Sequence, residues 1–557
     1  MVPGKIVMDK GTRMLKYLII GLMGLLMVAL PAMAQPSSQP ELTIRSITVV
    51  EQKEFSKKKK YHAEEVKIIS PHYLDTPEFM QSLQSTFIGK KFTVEEAKKI
   101  VDVTVAFAHA HQRPVVDVYI PQQDITGGNL VVVVDTSHLG AVKIEGNGWL
   151  SDAMLQGEIG LAKGAEIDSE ALERDMVWLN KSPFHHIEPV LTPGAQEGET
   201  DLLLKTQDRI PFRPYMGFDN SGNDATSPNR IRAGFALGDL PTYNSLLNYE
   251  YAQAPEYHTF WSHSLNYSLA LPSRDTLFAG ASYSRSQANL GDFNSGGTNI
   301  QTQLGYKLDL RPNNPVKGLI HDVSAGIEYK SLGSNLQFGG AQVYQSRPEV
   351  NQLFTDYNAL LPDSYGSALF NLKMVASPGG ISSHNTDENF DLAREGASAS
   401  YMYAQGRLER TITLPQGFSF KARGAGQLAS TNLLGSEQIV ITDHDNVRGY
   451  DEDALVSDEG YRLNLELFTP EAHPAQMFGA GNISDALQGL AFLDHGYGTA
   501  KFIKVDSDKG EYVTSAGVGV RYHINSNFYA QADYGVPLKK LHGNDDPHAY
   551  FSLVIAY

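Results

Sequence analysis

The sequence predicts a mixed fold, two small α+β domains followed by a transmembrane antiparallel β-barrel of about sixteen strands. Three observations carry this expectation. From about residue 211 onward, apolar and polar residues alternate in segments near the ~10 residues that a tilted strand needs to cross a bilayer. Between an N-terminal leader and residue 210, helical periodicities stand between short apolar runs. Past the leader, no stretch approaches the ~18 apolar residues of a spanning helix.

The leader carries Lys10, Arg13 and Lys16, then the apolar run Tyr17 to Leu30, then "PAMAQ", the small-residue pattern that a signal peptidase cuts after. Cleavage is expected after Ala34, which makes residues 1–34 a signal peptide. Residues 1–34 hold four Lys or Arg and one Asp, a net +3, so removing them takes the formal charge from -17 to -20. The 557 residues include no Cys, which excludes disulfides and thiolate metal sites. The acidic balance argues against nucleic acid as a partner, because no broad cationic surface is available to displace counterions. The Lys57 to Lys60 run reads as a solvated loop or strand edge.

Residues 35–137 are assigned to the first α+β domain. In "FTVEEAKKIVDVTVAFAHAH", Thr93 stands as a helix cap with Glu96 three residues on, a capping-box spacing. "RPVVDVYIP" and "GNLVVVVDT" follow as strands. Residues 138–207 form the second domain, with a strand at "LGAVKIEGNG", helices at "SDAMLQGEIG" and "DSEALERDMVWLN", and strands at "IEPVLTP" and "TDLLLKTQ".

Residues 208–557 are assigned to the barrel. In "NIQTQLGYKLDL", Ile300, Leu304, Tyr306 and Leu308 share one parity with Thr302, while Gln301, Gln303, Gly305, Lys307 and Asp309 take the other. One face is apolar and the other wet. Short connections ("LPSRD", "LPQG", "INSN") alternate with long polar ones at residues 286–298, 331–349, 377–396 and 499–511, as periplasmic turns alternate with outer loops. The chain ends "AYFSLVIAY", with Phe551, Leu553, Ile555 and Tyr557 on one face; this last strand must pair with the first, since an open edge in lipid leaves backbone groups unpaired.

This order of segments resembles the transporters of two-partner secretion, the TpsB family of haemolysin and filamentous-adhesin exporters, whose barrel follows two periplasmic POTRA domains. In the first domain Pro121, Gln123, Asp124 and Gly128 match the family pattern, and in the second Leu179, Asn180, Pro193, Gly194, Gly198, Thr200, Asp201 and Leu202 do. "VRGY", Val447, Arg448, Gly449 and Tyr450, is similar to the family's loop tetrad, within a loop spanning about residues 429–460. It is followed by Asp458, Gly460, Asn464 and Glu466, with Ser457 where a Gly is usual. "FLDHG" matches the FxDxG strand motif through Phe492, Asp494 and Gly496. The terminal aromatic strand is similar to the sorting signal of bacterial outer-membrane proteins.

The resemblance implies a loop folded back into the barrel lumen, with Arg448 paired to Asp494. Arg448 stands among Asp443, Asp445, Asp451, Glu452, Asp453 and Asp458, which are expected to be solvated, and exchanging the charges of Arg448 and Asp494 is expected to recover part of a lost function. It also implies a bacterial outer-membrane location, an unfolded secreted protein as periplasmic partner, outer-membrane lipid around the barrel, and the barrel-assembly machinery for insertion. Only a few residues separate Ala34 from the strand-like "LTIRSITVV", so the plug helix common in the family is expected to be missing or altered.

No GxSxG elbow and no GxxxxGK[ST] loop occurs, so a fused lipase or NTPase lacks its motif, and neither an enzyme nor a cofactor is expected. His109, His111, His185 and His186 have no partners at metal spacing. "DHDNVRGYDED" lacks the EF-hand order of ligands, so no metal site is assigned. Two other functions fit a barrel: an insertase for other barrels, which usually carries more POTRA units, and a passive porin, which needs none.

Overall fold

The computed structural model describes residues 42–57, 59, 61, 63–290, 293–310, 318–338, 341–481, 483–503, 509–541 and 546–557. The leader, its cleavage point, the segment where a plug would lie, and Lys58 and Lys60 fall outside the described residues. The chain divides into two compact units, one of residues 42–111 and 117–135, the other of the remaining described residues.

The first unit is a four-stranded sheet in the order Val66–Ile68, Ser46–Glu51, Asn129–Thr136, Val116–Tyr119, with helices Pro77–Phe87 and Val94–Ala110. Leu130 to Val134 are all buried, which is why the run "LVVVV" shows no alternation. Thr93 caps the longer helix by accepting from the Glu96 N–H at 3.1 Å. The reciprocal half of the capping box is not made, because the Glu96 carboxylate turns to Lys99 at 3.0 Å. Helix Pro77–Phe87 was not legible in the motif search, although it has Thr76 as cap and Pro at its first position.

The second unit contains an α+β domain and the barrel. Its small sheet runs His138–Glu145, Glu199–Asp208, His185–Pro193, under helices Asp152–Gly157 and Ser169–Leu179. Leu139, Leu155, Leu179, Ile187, Leu202 and Leu204 fill the space between them. The barrel's first two periplasmic turns dock on the end of helix Ser169–Leu179. Tyr243 reaches the Leu179 carbonyl at 2.7 Å and Asn244 the Trp178 carbonyl at 2.6 Å, satisfying acceptors that a helix end leaves orphaned. Arg274 pairs with Asp175 at 2.6 Å and also donates to the Glu158 carbonyl.

The barrel is closed and antiparallel, with sixteen staves among the described residues, the number expected. Seventeen strand segments build it because one stave is split around Pro348 into Ala341–Ser346 and Glu349–Asp363, both paired with Ile320–Phe338. Closure joins Ser552–Ala556 to Tyr215–Asp219, and on its outer face Phe551 packs on Phe218 with centroids 5.5 Å apart. Phe551, Leu553, Ile555 and Tyr557 all point outward.

Two of the expected long loops are mostly strand. Thr276–Leu290, Phe293–Asp309 and Ile320–Phe338 run 15, 17 and 19 residues, well past the ~10 that span lipid. Polar composition misled here, because a hairpin standing in water alternates nothing apolar. Leu304, Ile327 and Leu353 are neighbours in register on the outer face, each about half exposed. An Arg on a lipid-facing stave costs about 2–4 kcal/mol near the bilayer midplane. Ile327→Arg should therefore lower the fraction of heat-modifiable barrel on unheated gels, and full recovery would take Ile327 off the lipid face.

Candidate functional site

The connection 430–458, between strands Ser419–Ala429 and Glu459–Phe468, enters the lumen and docks at both its rising arm and its tip. The tip carries the tetrad. Arg448 is 2% exposed and Asp494 0%. The guanidinium meets the Asp494 carboxylate in a fork, Nε at 2.8 Å and Nη2 at 3.0 Å, and the Arg448 backbone N–H adds a third contact at 3.2 Å. Its remaining nitrogen lies 2.8 Å from Glu466, with Asp533 at 4.0 Å, and the plane stacks 3.6 Å above the Phe492 ring. Burial opposes the charge of Arg448, but Asp494, Glu466 and Asp533 outweigh it and hold its pKa above the ordinary value.

The surrounding residues lock this geometry. Asn464 donates to Asp494 at 2.9 Å and also to the Asn446 carbonyl, and Arg521 pairs with Asp533 at 2.7 Å. Val447 sits with Ile439, Ile441, Tyr450, Val513 and Leu541 in a buried apolar cluster. Gly449 has φ +92 and donates to the Tyr550 hydroxyl at 3.0 Å. Tyr450 is fully buried; its hydroxyl lies 2.6 Å from the Lys539 carbonyl and accepts from the Thr514 N–H at 3.1 Å.

The wall beneath the tip is glycine. A Cβ at Gly535 would lie 2.7 Å from the Gly449 nitrogen, and one at Gly496 would lie 2.5 Å from the Ile441 side chain. A Cβ at Gly498 would strike Ser457, and one at Gly517 would strike the Phe492 ring. Gly496 thus serves close approach by the loop, a use that the strand motif alone does not disclose. The other glycines carry no motif and were missed.

The rising arm grips a different part of the wall. Glu437, 3% exposed, pairs with Lys330 at 2.8 Å and accepts from Tyr403 and Gln352 at 3.1 Å each. Lys330, Gln352 and Tyr403 stand on three other staves. The loop is therefore a crossbar between two sets of strands, and this second anchor left no sequence signal because its members are scattered.

The acids around Arg448 are not uniformly solvated, contrary to expectation. Asp458 is fully buried and meets Arg394 at 2.7 Å; Glu452 holds His444 at 3.1 Å; Asp451 meets His548 at 2.7 Å. Asp445, Asp451 and Asp453 keep the exposure expected of loop acids, Asp445 at 69% of its side chain even though it lies 3.4 Å from His444. The neighbourhood of Glu466 and Asp533 also undercuts the charge exchange, since an acid at 448 would face two more acids.

The motif residues of the α+β domains build turns. Pro121 is buried; the Gln123 amide donates to the Val131 carbonyl at 2.7 Å and accepts from the Val131 N–H at 2.8 Å; Asp124 accepts from the Thr126 N–H at 3.0 Å. Gly128, at φ +78, lets a strand pass where a Cβ would lie 2.6 Å from the Thr43 carbonyl. Pro193 ends a strand, Gly194 donates to the Glu199 carbonyl at 2.9 Å, and Gly198 has φ +80. Asp201 stitches the bulge in His138–Glu145, accepting from the Ala141 N–H at 2.8 Å and pairing with Lys143 at 2.7 Å. Lys143 and that N–H hold its carboxyl below the ordinary range.

A closed outer-membrane barrel with α+β units ahead of it and an inward loop locked by an Arg–Asp fork defines a POTRA-barrel transporter. The chain belongs to the family described as haemolysin secretion/activation protein ShlB/FhaC/HecB, whose profile matches residues 198–522. It is 22% identical over 489 residues to the heme/hemopexin transporter protein HuxB of Haemophilus influenzae, covering 84% of this chain and 82% of that one. It is 22% identical over 372 residues to the outer membrane transporter CdiB of Dickeya dadantii, covering 63% and 62%. Its fold is similar to CdiB from Escherichia coli, with TM-score 0.73 and 16% identity over 95% of this chain and 93% of that one. It is also similar to BamA from Haemophilus ducreyi lacking POTRA domains 1–3, with TM-score 0.51 and 12% identity over 88% and 98%. The protein is thus an outer-membrane transporter of a family that acts on a secreted partner protein.

Two tests follow from the tip. Gly535→Val should push the tip off the wall and lower the temperature at which the folded barrel loses its heat-modifiable migration on gels; an unchanged transition would mean the trough does not seat the loop. The pKa of His444, whose hydrogen bond to the Glu452 carboxylate outweighs burial, is raised to about 9, above the usual ~6.5. A raised folded pKa gives stability that is present below the unfolded value and fades as pH climbs through about 9. Thermal unfolding of the wild type should weaken between pH 7 and 10 more than that of His444→Gln; parallel pH curves would exclude the pair.

Proposed function

We propose that this protein exports one large secreted protein of haemolysin or adhesin type by two-partner secretion, and that the lumen loop is the gate. The observation that carries this reading is the buried guanidinium of Arg448, held by carboxylates from three staves, on a loop that bridges two sets of wall strands. A passive porin has no need of the α+β units that stand ahead of this barrel.

The client arrives unfolded in the periplasm. It adds a strand to an open edge of a POTRA sheet, such as His185–Pro193, through backbone hydrogen bonds that read extension more than side chains. The domain motif residues, Pro121, Gln123, Asp124, Pro193, Gly194, Gly198 and Asp201, keep those sheets in shape. Release of Arg448 from Asp494 then frees the lumen, and folding outside the membrane supplies the drive, no nucleotide motif being present in the chain. Lipid surrounds the outward apolar faces, and the strand ending at Tyr557 addresses the chain to the barrel-assembly machinery.

Removing one partner of a buried pair typically costs ~3–5 kcal/mol because the other charge is left unpaired. Arg448→Ala should thus reduce export while heat-modifiable barrel is still recovered, and Arg448→Lys should retain part of it. Deletion of residues 42–207 should abolish export of the partner; export that survives either change would remove that element from the mechanism.

A further inference from the structure

Besides the tip lock and the Glu437 anchor, the described residues hold a further buried ionic assembly, at the root of the loop. Asp458 is the last residue before strand Glu459–Phe468 and is 0% exposed. Arg394 forks onto it at 2.7 and 3.1 Å, and the same carboxylate accepts from the Leu433 N–H at 2.9 Å and the Lys501 N–H at 3.1 Å. Close by, the Asn432 amide exchanges hydrogen bonds with the Phe502 backbone, accepting at 2.7 Å and donating at 2.8 Å. Asn432 is also fully buried.

These contacts join three external connections. Arg394 ends the helix Asp387–Ala393 of connection 379–399; Asn432, Leu433 and Asp458 are the two ends of the lumen loop; Lys501 and Phe502 belong to connection 500–510. The helix also buries Phe390 in one apolar cluster with Leu433 and Leu434. The two assemblies share no residue. Arg448 fastens the tip to strands Glu459–Phe468, Asp485–Thr499 and Phe528–Pro537, whereas Asp458 staples the stem to its neighbours at the outer rim.

We propose that Arg394, Asp458 and Asn432 are positioning residues of an outer clasp, which closes the pore in series with the Arg448–Asp494 lock. The proposal deepens the export-gate reading and rests on it. Freeing the tip alone leaves the stem stapled and the helix Asp387–Ala393 packed on it. Freeing the clasp alone leaves the tip bound to the wall. A client therefore clears two barriers, first the tip and then the rim, and the rim opens only when helix Asp387–Ala393 and residues Lys501 and Phe502 part from the stem.

The test is planar-bilayer conductance of purified full-length barrels, which needs no client and so separates this claim from the export reading. The variants are Arg394→Gln, Arg448→Ala and the two combined, each first checked for heat-modifiable migration. Closure in series predicts that the pair raises mean current by about tenfold or more over the sum of the singles, a coupling typical of interacting sites. Asn432→Ala, in place of Arg394→Gln, should give the same synergy, and Arg394→Lys in the Arg448→Ala background should restore most of the low current. Additive currents, or a single variant that conducts like the pair, would overturn the series arrangement. If conductance shows the synergy but secretion of the partner never occurs, the clasp stands and the export reading falls.

Discussion

Everything in the lumen is arranged around the cost of burying one guanidinium. A cation taken out of water is tolerated only where its hydrogen bonds and its charge are both answered. Arg448 receives a forked carboxylate, a second acid and an aromatic face. The geometry of that answer is then fixed from behind by Asn464 on Asp494 and Arg521 on Asp533. The same physics ties the partners to one another. A charge so held is strained by the loss of any one partner, so a modest displacement of the loop is felt by the whole cluster. The glycine trough is the steric counterpart. It removes side chains where the loop backbone must lie, so tip and wall meet backbone to backbone.

The barrel was legible because lipid imposes a strict rule, and alternation over Ile300 to Leu308 or Val518 to Tyr522 obeys it. The reach of the hairpins outside the membrane was not, since Ser286 to Thr298 follows no such rule there. The Arg448–Asp494 partnership was visible only through resemblance, because the two residues are far apart in the sequence and nothing local marks either. The Glu437 anchor and the burial of Asp458 were illegible for a stronger reason. Lys330, Gln352, Tyr403 and Arg394 come from separate strands and loops, and an acidic run such as Asp451 to Asp458 reads as solvated until folding brings Asp451, Glu452 and Asp458 to their partners. Local signals survived best: the Thr93 cap is present, while the Glu96 half of its box yielded to Lys99.

The docking of the barrel's turns on the neighbouring α+β domain has a directional consequence. Arg209 holds the link between them by donating to the Pro183 carbonyl at 2.9 Å, Tyr243 and Asn244 engage the helix end, and Arg274 pins its flank. These three supports hold the domain to the barrel at separate residues of its helix and link. On the export reading, a polypeptide paired along the edge strand of that sheet would be aimed at the pore mouth before it is threaded. In such a mount, sliding the paired chain by one register step moves every following residue by the same distance toward the opening. The sheet edge would then act as a ruled guide, with the polarity of strand pairing deciding which end of the passenger enters first.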